Sequence, residues 1–540
     1  VIELHKNPSV FAAFSAVAAV HGQRPFLRAP AAATAAYAPA AIEYSYAEAA
    51  RVVDELRSAY QAHELSSGDR VALAFDSRLD VYLHLLALNA MGISIVPLNM
   101  GGSDDELRYM VSHSDSRLVT GIPAHEDRLA KLFDASNHID FVPAAALLAN
   151  ATALADPVGD HATEVALLYT SGTTGKPKGC MLSNYYFLNM GHEYNQLGGL
   201  CSIDSNDRLM TPLPPNHMNA LSTSFMAMLM CGGCVIQLDR FHPRSWWQTV
   251  RSEGATVVHY LGVMPAILLT LEAQANEDFS GQVKFGFGAG SDPRHQQTFE
   301  ERFGFPLIEA WAMTESGGAG MTVANEEPRH LGQRCVGKPV KNMEFRIADV
   351  EGKPVPKGNH GELLVRSRGA DPRCGFFSGY YKDAAATEEG WAGGWWHTGD
   401  IVREGPDGSL FFVDRQKNVI RRSGENIAAV EVEAAILRHT QVRNCAVTAV
   451  PDELRGDEVF AFVVPIDQTI RDENLAREIF DHSRQFLTYF KLPGYIAFVD
   501  ELPLTASQKI SRAEVKNQAR SMLESSAVND LRNFKKRPSS

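Results

Sequence analysis

Hydrophobic and polar residues change period several times along the chain. Ser45 and Glu48 have the spacing of a capping box, and Val52, Val53, Leu56 and Tyr60 then recur at helical intervals. Gly68-Asp69 turns into the apolar run Val71 to Phe75, which reads as a buried strand. Leu79 to Ala90 reads as a second helix, and Ile93-Ser94-Ile95-Val96 as the next strand. Asp104-Asp105-Glu106 places acids where a helix dipole favours them and opens a third helix. This βαβ alternation predicts parallel strands with helices on both faces. The segment from Arg28 to Ala41 is rich in Ala and Pro and reads as an irregular surface excursion.

The alternation resumes with Val165 to Leu168, Cys234 to Leu238 and Thr256 to Tyr260. Between Gly337 and Val413 the pattern changes. Short runs such as Glu344-Phe345-Arg346-Ile347 and Glu362-Leu363-Leu364-Val365 are separated by Gly/Pro turns, predicting antiparallel sheet or a small barrel. After Asp414 a compact unit follows. A helix is predicted to carry Ile427, Val430, Ala434 and Leu437 on one face, with strands over Cys445–Val450 and Val459–Val464.

Composition narrows the class. At 540 residues the chain needs at least two domains. Hydrophobic residues make up 45% and charged ones 21%, ordinary for a globular protein. A net charge of −13 argues against a nucleic-acid surface. The basic cluster Lys535-Lys536-Arg537 reads as a solvated tail. Seven cysteines, odd in number and scattered, fit a reducing, cytoplasmic location. Cys231-Gly232-Gly233-Cys234 lacks a second pair or a His partner and reads as structural. No run reaches the roughly 18 apolar residues of a membrane span. The N-terminus lacks a signal-peptide plan.

One stretch carries concentrated chemistry: Thr170-Ser171-Gly172-Thr173-Thr174-Gly175-Lys176-Pro177-Lys178-Gly179. Glycines let backbone N–H groups face an anion, hydroxyls donate hydrogen bonds and lysines supply charge, which suits a polyphosphate. It is no Walker A loop: the glycine spacing differs, and proline follows Lys176 where Ser/Thr would hold Mg²⁺. The wording resembles the phosphate loop of the adenylate-forming enzymes, the superfamily of acyl-CoA synthetases, adenylation domains and luciferases. Further motifs follow in that family's order, from about Phe11 to Lys516.

The resemblance implies a role for each motif. Thr170 to Gly175, Lys176 and Lys178 would hold ATP phosphates. Gly288-Ala289-Gly290 would pack against adenine, and Trp311 would stack on it. Thr314 would bond the α-phosphate, and Glu315 would ligate Mg²⁺, whose preference is for oxygen ligands. The family usually has Tyr-Gly where this chain has Trp311-Ala312. Asp400 would take both ribose hydroxyls, as a carboxylate fits a cis-diol, and Arg415 would reach the same ribose. Lys509 would be the catalytic lysine. Lys417 sits at the hinge position, near 414–418. Ser423, Gly424 and Glu425 would line a coenzyme A tunnel.

His217 and Asn219 match the segment bordering the acyl pocket. Tyr260, Val263, Met264, Gly288, Trp311 and Gly317 complete its expected wall. Adenylation domains place an Asp near His217 to meet an α-ammonium, and none stands there. The wording around Tyr260 to Pro265 resembles the carnitine/crotonobetaine-CoA ligase branch. Lys491 and Arg455 are candidates for the phosphates of coenzyme A.

The fold class implied is α/β. Residues 1–414 would form a large domain of βαβ sheets with a small barrel-like portion. Residues 415–540 would form a small, mobile α+β domain. The function implied is an acid–CoA ligase using ATP, Mg²⁺ and coenzyme A. It would make an acyl-adenylate from a small carboxylic acid, release pyrophosphate, and pass the acyl group to a thiol. The other reading is an enzyme that loads an acyl carrier protein. Intact Glu315 and Lys509 argue against a relic that only binds. A homodimer is compatible with either reading.

Overall fold

The predicted Ser45–Glu48 capping box closes in the computed structural model, and a second one, not predicted, closes at Ser103. The structure describes residues 4–133, 139–147, 153–170, 177–273, 276–422, 425–452, 455–504, 510–523 and 527–535. Ser45 and Glu48 exchange side-chain and backbone hydrogen bonds at the start of the helix Tyr46–Gln61. Ser103 and Glu106 do the same for Asp104–His113. Such reciprocal caps satisfy N–H groups that a helix start otherwise leaves open.

The chain divides into two compact units. The first comprises residues 1–346, 364–397 and 405–411; the second comprises 347–363, 398–404 and 412–540. The strips 347–363 and 398–404 thus belong with the C-terminal part, an assignment the linear reading did not make.

Two sheets organise the first unit. In one, Asp140–Pro143, Leu118–Gly121, Arg70–Ala74, Ser94–Pro97 and Glu164–Thr170 run parallel in that spatial order. Lys178–Ser183 then adds antiparallel, followed by Gly379–Tyr380. In the other, Pro25–Ala29, Cys234–Gln237, Arg208–Thr211, Val257–Leu261, Phe285–Ala289 and Leu307–Trp311 run parallel. It continues antiparallel through Thr322–Val323 and Cys335–Pro339. The parallel strands are almost wholly buried, which is why they read as continuous apolar runs rather than alternating ones. Part of the Ala/Pro-rich segment is regular after all: Pro25–Ala29 pairs with Cys234–Gln237, and Ala31–Thr34 is a helical turn. Cys231 and Cys234 are buried free thiols, as the structural reading of their spacing requires.

The second unit has its own sheet. Val419–Arg422 and Glu425–Ala428 form a hairpin, and Gly456–Pro465 pairs with both Val442–Asp452 and Tyr495–Phe498. The helix expected to carry Ile427 spans Ala429–Ile436 instead. Ile427 belongs to the hairpin, and the helical residues in the core are Ala429, Val432, Ala435 and Ile436, with Leu437 packed against them as expected, rather than Val430 and Ala434. The apolar run straddles a strand–helix junction, so a single helical period assigned across it is out of register.

The reading of Lys535 as solvated is corrected. Its side chain is 1% exposed and its ammonium lies 2.5 Å from Glu458 Oε1. Burial pushes its pKa down to about 8, against the opposing pull of Glu458. Lys536 and Arg537 lie outside the described residues. Among the described residues no helix is long and apolar enough to cross a membrane.

Candidate active site

In the first unit the two described residues expected to hold phosphate meet at one strand pair. Thr170 and Lys178 face each other across the antiparallel pair Glu164–Thr170/Lys178–Ser183, so the glycine-rich connection leaves and returns side by side. Ser171, Gly172, Thr173, Thr174, Gly175 and Lys176 lie outside the described residues. Lys178 Nζ is 3.2 Å from Asp383 Oδ2 and 4.8 Å from the centroid of the Tyr380 ring. Tyr380 pairs with Cys180 on the next strand, and its hydroxyl donates to Glu315 Oε1 at 2.7 Å. Burial, and then the Glu315 carboxylate, raise the Tyr380 pKa, so the phenol keeps its proton and donates. Tyr380 thereby ties the loop-bearing strands to the candidate metal ligand. A Tyr in a Gly-Tyr pair is common, and no local pattern marked it beforehand.

Glu315 itself is 7% exposed. Its carbonyl accepts from Phe377 N–H at 3.0 Å, and Phe377 packs edge-on against both Tyr380 and Trp396. The turn from Met313 to Gly317 closes on Met313 O, which accepts from the N–H groups of Ser316 and Gly317. Gly317 has φ +52°, and a Cβ there would meet the Tyr186 ring at 2.4 Å. A glycine is therefore required on both counts. One buried carboxylate oriented by a phenol fits a hard cation that takes its remaining ligands from phosphate and water. Among the described residues no cluster of three or more His, Cys, Asp or Glu forms a metal site independent of substrate.

The turn at 288–291 is held by a residue that sequence reasoning missed. Glu309, on the strand Leu307–Trp311, accepts from Gly290 N–H at 2.8 Å, Ser291 N–H at 3.1 Å and the Tyr260 hydroxyl at 2.8 Å. It fastens together the ends of three adjacent parallel strands. Burial raises its pKa, and these hydrogen bonds oppose the rise. Gly288 and Gly262 leave no room for a side chain: added Cβ atoms would meet Tyr260 O at 2.4 Å and Gly290 O at 1.7 Å. Glu309→Ala is expected to orphan two backbone donors, at about 1–3 kcal/mol each. It should raise the KM for ATP while transfer from a pre-made acyl-adenylate stays intact. Urea denaturation and initial rates at varied ATP measure the two effects.

The acyl-side residues split. Tyr260 and Met264 are buried, Trp311 is 7% exposed, and Val263 is 49% exposed at the start of the helix Val263–Leu269. His217 is half-buried, with its carbonyl accepting from Leu221 N–H at 3.0 Å. Asn219 opens a π-helical turn, Asn219–Ser224, a distortion often kept at functional sites. Ser224 at its end bonds His259 Nδ1 at 2.8 Å, and Tyr194 bonds His259 Nε2 at 2.9 Å. Burial pushes the His259 pKa down to about 3, so this imidazole is a neutral brace behind the turn. Pro214, Pro215 and Asn216 also line a cleft of about 570 Å³, together with Phe75 to Arg78 and Leu98 to Met100.

The ribose candidates belong to the second unit and meet there. Arg415 Nε is 2.6 Å from Asp400 Oδ1, and the Asp400 side chain is fully buried. Thr398 supports it by accepting from Asp400 N–H at 3.0 Å while donating to Leu363 O at 2.7 Å. Asp414 ties down the junction: Oδ1 accepts from Arg415 N–H at 2.7 Å, and Oδ2 from Val430 N–H at 3.2 Å. Lys417 lies in the 3₁₀ turn Gln416–Asn418. Glu425 begins the second strand of the hairpin. Ser423, Gly424 and Lys509 lie outside the described residues. Lys491 is paired with Glu431 at 2.7 Å, and Arg455 lies 3.9 Å from Asp452.

In the first unit the Thr170/Lys178 strand pair meets the turn that carries Glu315, and in the second unit Asp400 pairs with Arg415. The chain belongs to the AMP-binding enzyme family, the adenylate-forming acyl-CoA ligase superfamily. The family model for the AMP-binding enzyme matches residues 14–381, and that for its C-terminal domain matches 431–509. It is 30% identical over 532 residues to the sulfoacetate–CoA ligase of Cupriavidus necator, covering 95% of this chain and 99% of that one. It is also 30% identical over 466 residues to the oxalate–CoA ligase of Arabidopsis thaliana, covering 83% and 88%. The crotonobetaine/carnitine–CoA ligase of Proteus mirabilis is 26% identical, covering 87% and 92%. Among solved structures, ATP-bound MatB from Rhodopseudomonas palustris superposes with a TM-score of 0.80 at 22% identity, covering 97% and 99%. The Bacillus subtilis o-succinylbenzoate CoA synthetase with its acyl-adenylate gives 0.81 at 23%, covering 94% and 98%. These two similarities establish the fold.

Proposed function

We propose that the protein is an AMP-forming acid–CoA ligase. A carboxylate attacks the α-phosphorus of ATP, pyrophosphate leaves, and the acyl group then passes from AMP to the thiol of coenzyme A. The observation that carries this reading is the Tyr380–Glu315 hydrogen bond, which joins the Thr170/Lys178 strand pair to the Thr314-Glu315 turn. This contact supports a reading in which the groups that would hold phosphate and the carboxylate that would hold a cation lie together.

Both reactants are anions, so the first step needs positive charge and donors at their crowded oxygens, not a protein nucleophile. Lys178 and the glycine-rich loop would serve the phosphates, and Lys509 the meeting carboxylate and α-phosphate. Mg²⁺ held on Glu315 would neutralise phosphate charge. Asp400 and Arg415 would orient the ribose. His217 and Asn219 would border the acyl group, so a small, polar acid fits the segment better than a long alkyl chain. The named activities of the relatives, on sulfoacetate, oxalate and crotonobetaine or carnitine, support a small polar acid as well.

The expected result of a pyrophosphate-release screen over small acids is Mg²⁺-dependent turnover only with a cognate acid, with AMP as the nucleotide product. ADP and phosphate as products would exclude adenylation. Thioester formation with coenzyme A identifies the acceptor. Turnover with a phosphopantetheinylated carrier protein and none with coenzyme A would select carrier loading instead.

A further inference from the structure

The C-terminal segment beyond the family match is built into the second unit. Val528–Asp530 adds an antiparallel strand to Tyr495–Phe498, with Tyr495 opposite Asp530 and Ala497 opposite Val528. Leu531 donates its N–H to Gly494 O at 2.8 Å and is buried among Ile420, Ile427 and Val459. Phe534 packs on the same cluster, and the Arg477 guanidinium lies 3.8 Å from its ring centroid. The segment then delivers Lys535 to Glu458.

Glu458 is the pivot. Its Oε1 accepts from Lys535 Nζ at 2.5 Å and from Val459 N–H at 2.8 Å. Its Oε2 accepts from Arg422 Nε at 2.9 Å. Arg422 is 4% exposed and Glu458 is fully buried. Gly494 makes room for this carboxylate: a Cβ there would come within 2.5 Å of it. Arg422 ends the strand Val419–Arg422, and Arg422 opposite Gly456 is the register point joining that strand to Gly456–Pro465. The Arg422–Glu458 pair therefore pins the end of the hairpin that leads into Ser423 and Gly424. A buried ion pair resists opening, because one partner left alone in low dielectric is costly; a solvated pair holds little.

We infer that residues 527–535 form a strap over this pivot, and that Lys535 is a positioning residue for thiol transfer, acting through Glu458 and Arg422 on the 419–428 hairpin. Lys535 fixes one carboxylate oxygen and so aims the other at Arg422, while the strap keeps the pair dry. The link to thiol transfer rests on the coenzyme A role proposed for 423–425; the link to the hairpin does not.

The test uses the full chain with Lys535→Met and Lys535→Arg, after equal thermal unfolding confirms that both fold. Amide hydrogen exchange is read first in the free protein. Lys535→Met should speed exchange at Ile420 and Arg422, and Lys535→Arg should restore protection. Unchanged exchange overturns the strap, whichever thiol is the acceptor. With the acid found by the screen, ATP–pyrophosphate exchange should stay within about twofold of the parent. The KM for coenzyme A in transfer from pre-made acyl-adenylate should rise on the order of tenfold, as expected when a positioning contact loosens. Lys535→Arg should recover most of it. Equal loss in both half-reactions, or no change in that KM, overturns the positioning role. Absence of any thioester from the parent protein counts against the proposed function and leaves the exchange result to decide the strap.

Discussion

Lys509→Ala should reduce acyl-adenylate formation on the order of 10²–10³-fold, the cost of removing one preorganised donor from a developing charge. The carboxylate and the α-phosphate repel each other as they meet, and the lysine expected between them supplies both charge and hydrogen bonds. A pre-made acyl-adenylate has already passed that point. Its conversion to thioester should therefore run at near the parent rate in the same variant. Quenched-flow measurement of the two half-reactions separates these outcomes. Equal loss of both, with circular dichroism unchanged, would remove Lys509 from its assigned role.

The opposite loss is expected from Lys417→Pro. Lys417 sits in the 3₁₀ turn Gln416–Asn418, directly after Arg415, whose side chain meets Asp400. Asp414 fastens this turn to the start of the following helix through Val430. Proline fixes φ near −65° and biases the preceding Gln416 away from helical dihedrals. A junction that must change dihedrals between two arrangements loses that freedom. Adenylation should survive largely intact, while thiol transfer falls on the order of 10²-fold, the penalty for reactants that no longer align. If the two substitutions damage the same half-reaction, alternation about this junction is the wrong mechanism for the protein.

Glu309 and Tyr380 complete the candidate site, yet neither stood out in the linear sequence. The function of Glu309 lies in hydrogen bonds to Gly290, Ser291 and Tyr260, whose strands become neighbours only in the sheet. Tyr380 and Glu315 are 65 positions apart and meet because Gly379–Tyr380 docks on the edge of the loop-bearing strands. Hydrogen bonds of this kind have no period in sequence, so pattern reading does not reach them.

By itself the sequence determined the alternation of strand and helix, the Ser45–Glu48 capping box and the order of the motifs. These are local: a capping box needs residues three apart, and a buried parallel strand needs an apolar run. It also determined the family, because the motif wording is contiguous. Tertiary structure decided what depends on distant partners. It moved Ile427 from helix to hairpin, because strand pairing with Ile420 outweighs helical periodicity there. It turned Lys535 from an expected solvated cation into a buried one, because Glu458, 77 positions away, offers a carboxylate inside the second unit's core. A charge near a chain end is solvated by default, and only a partner brought in by folding changes that.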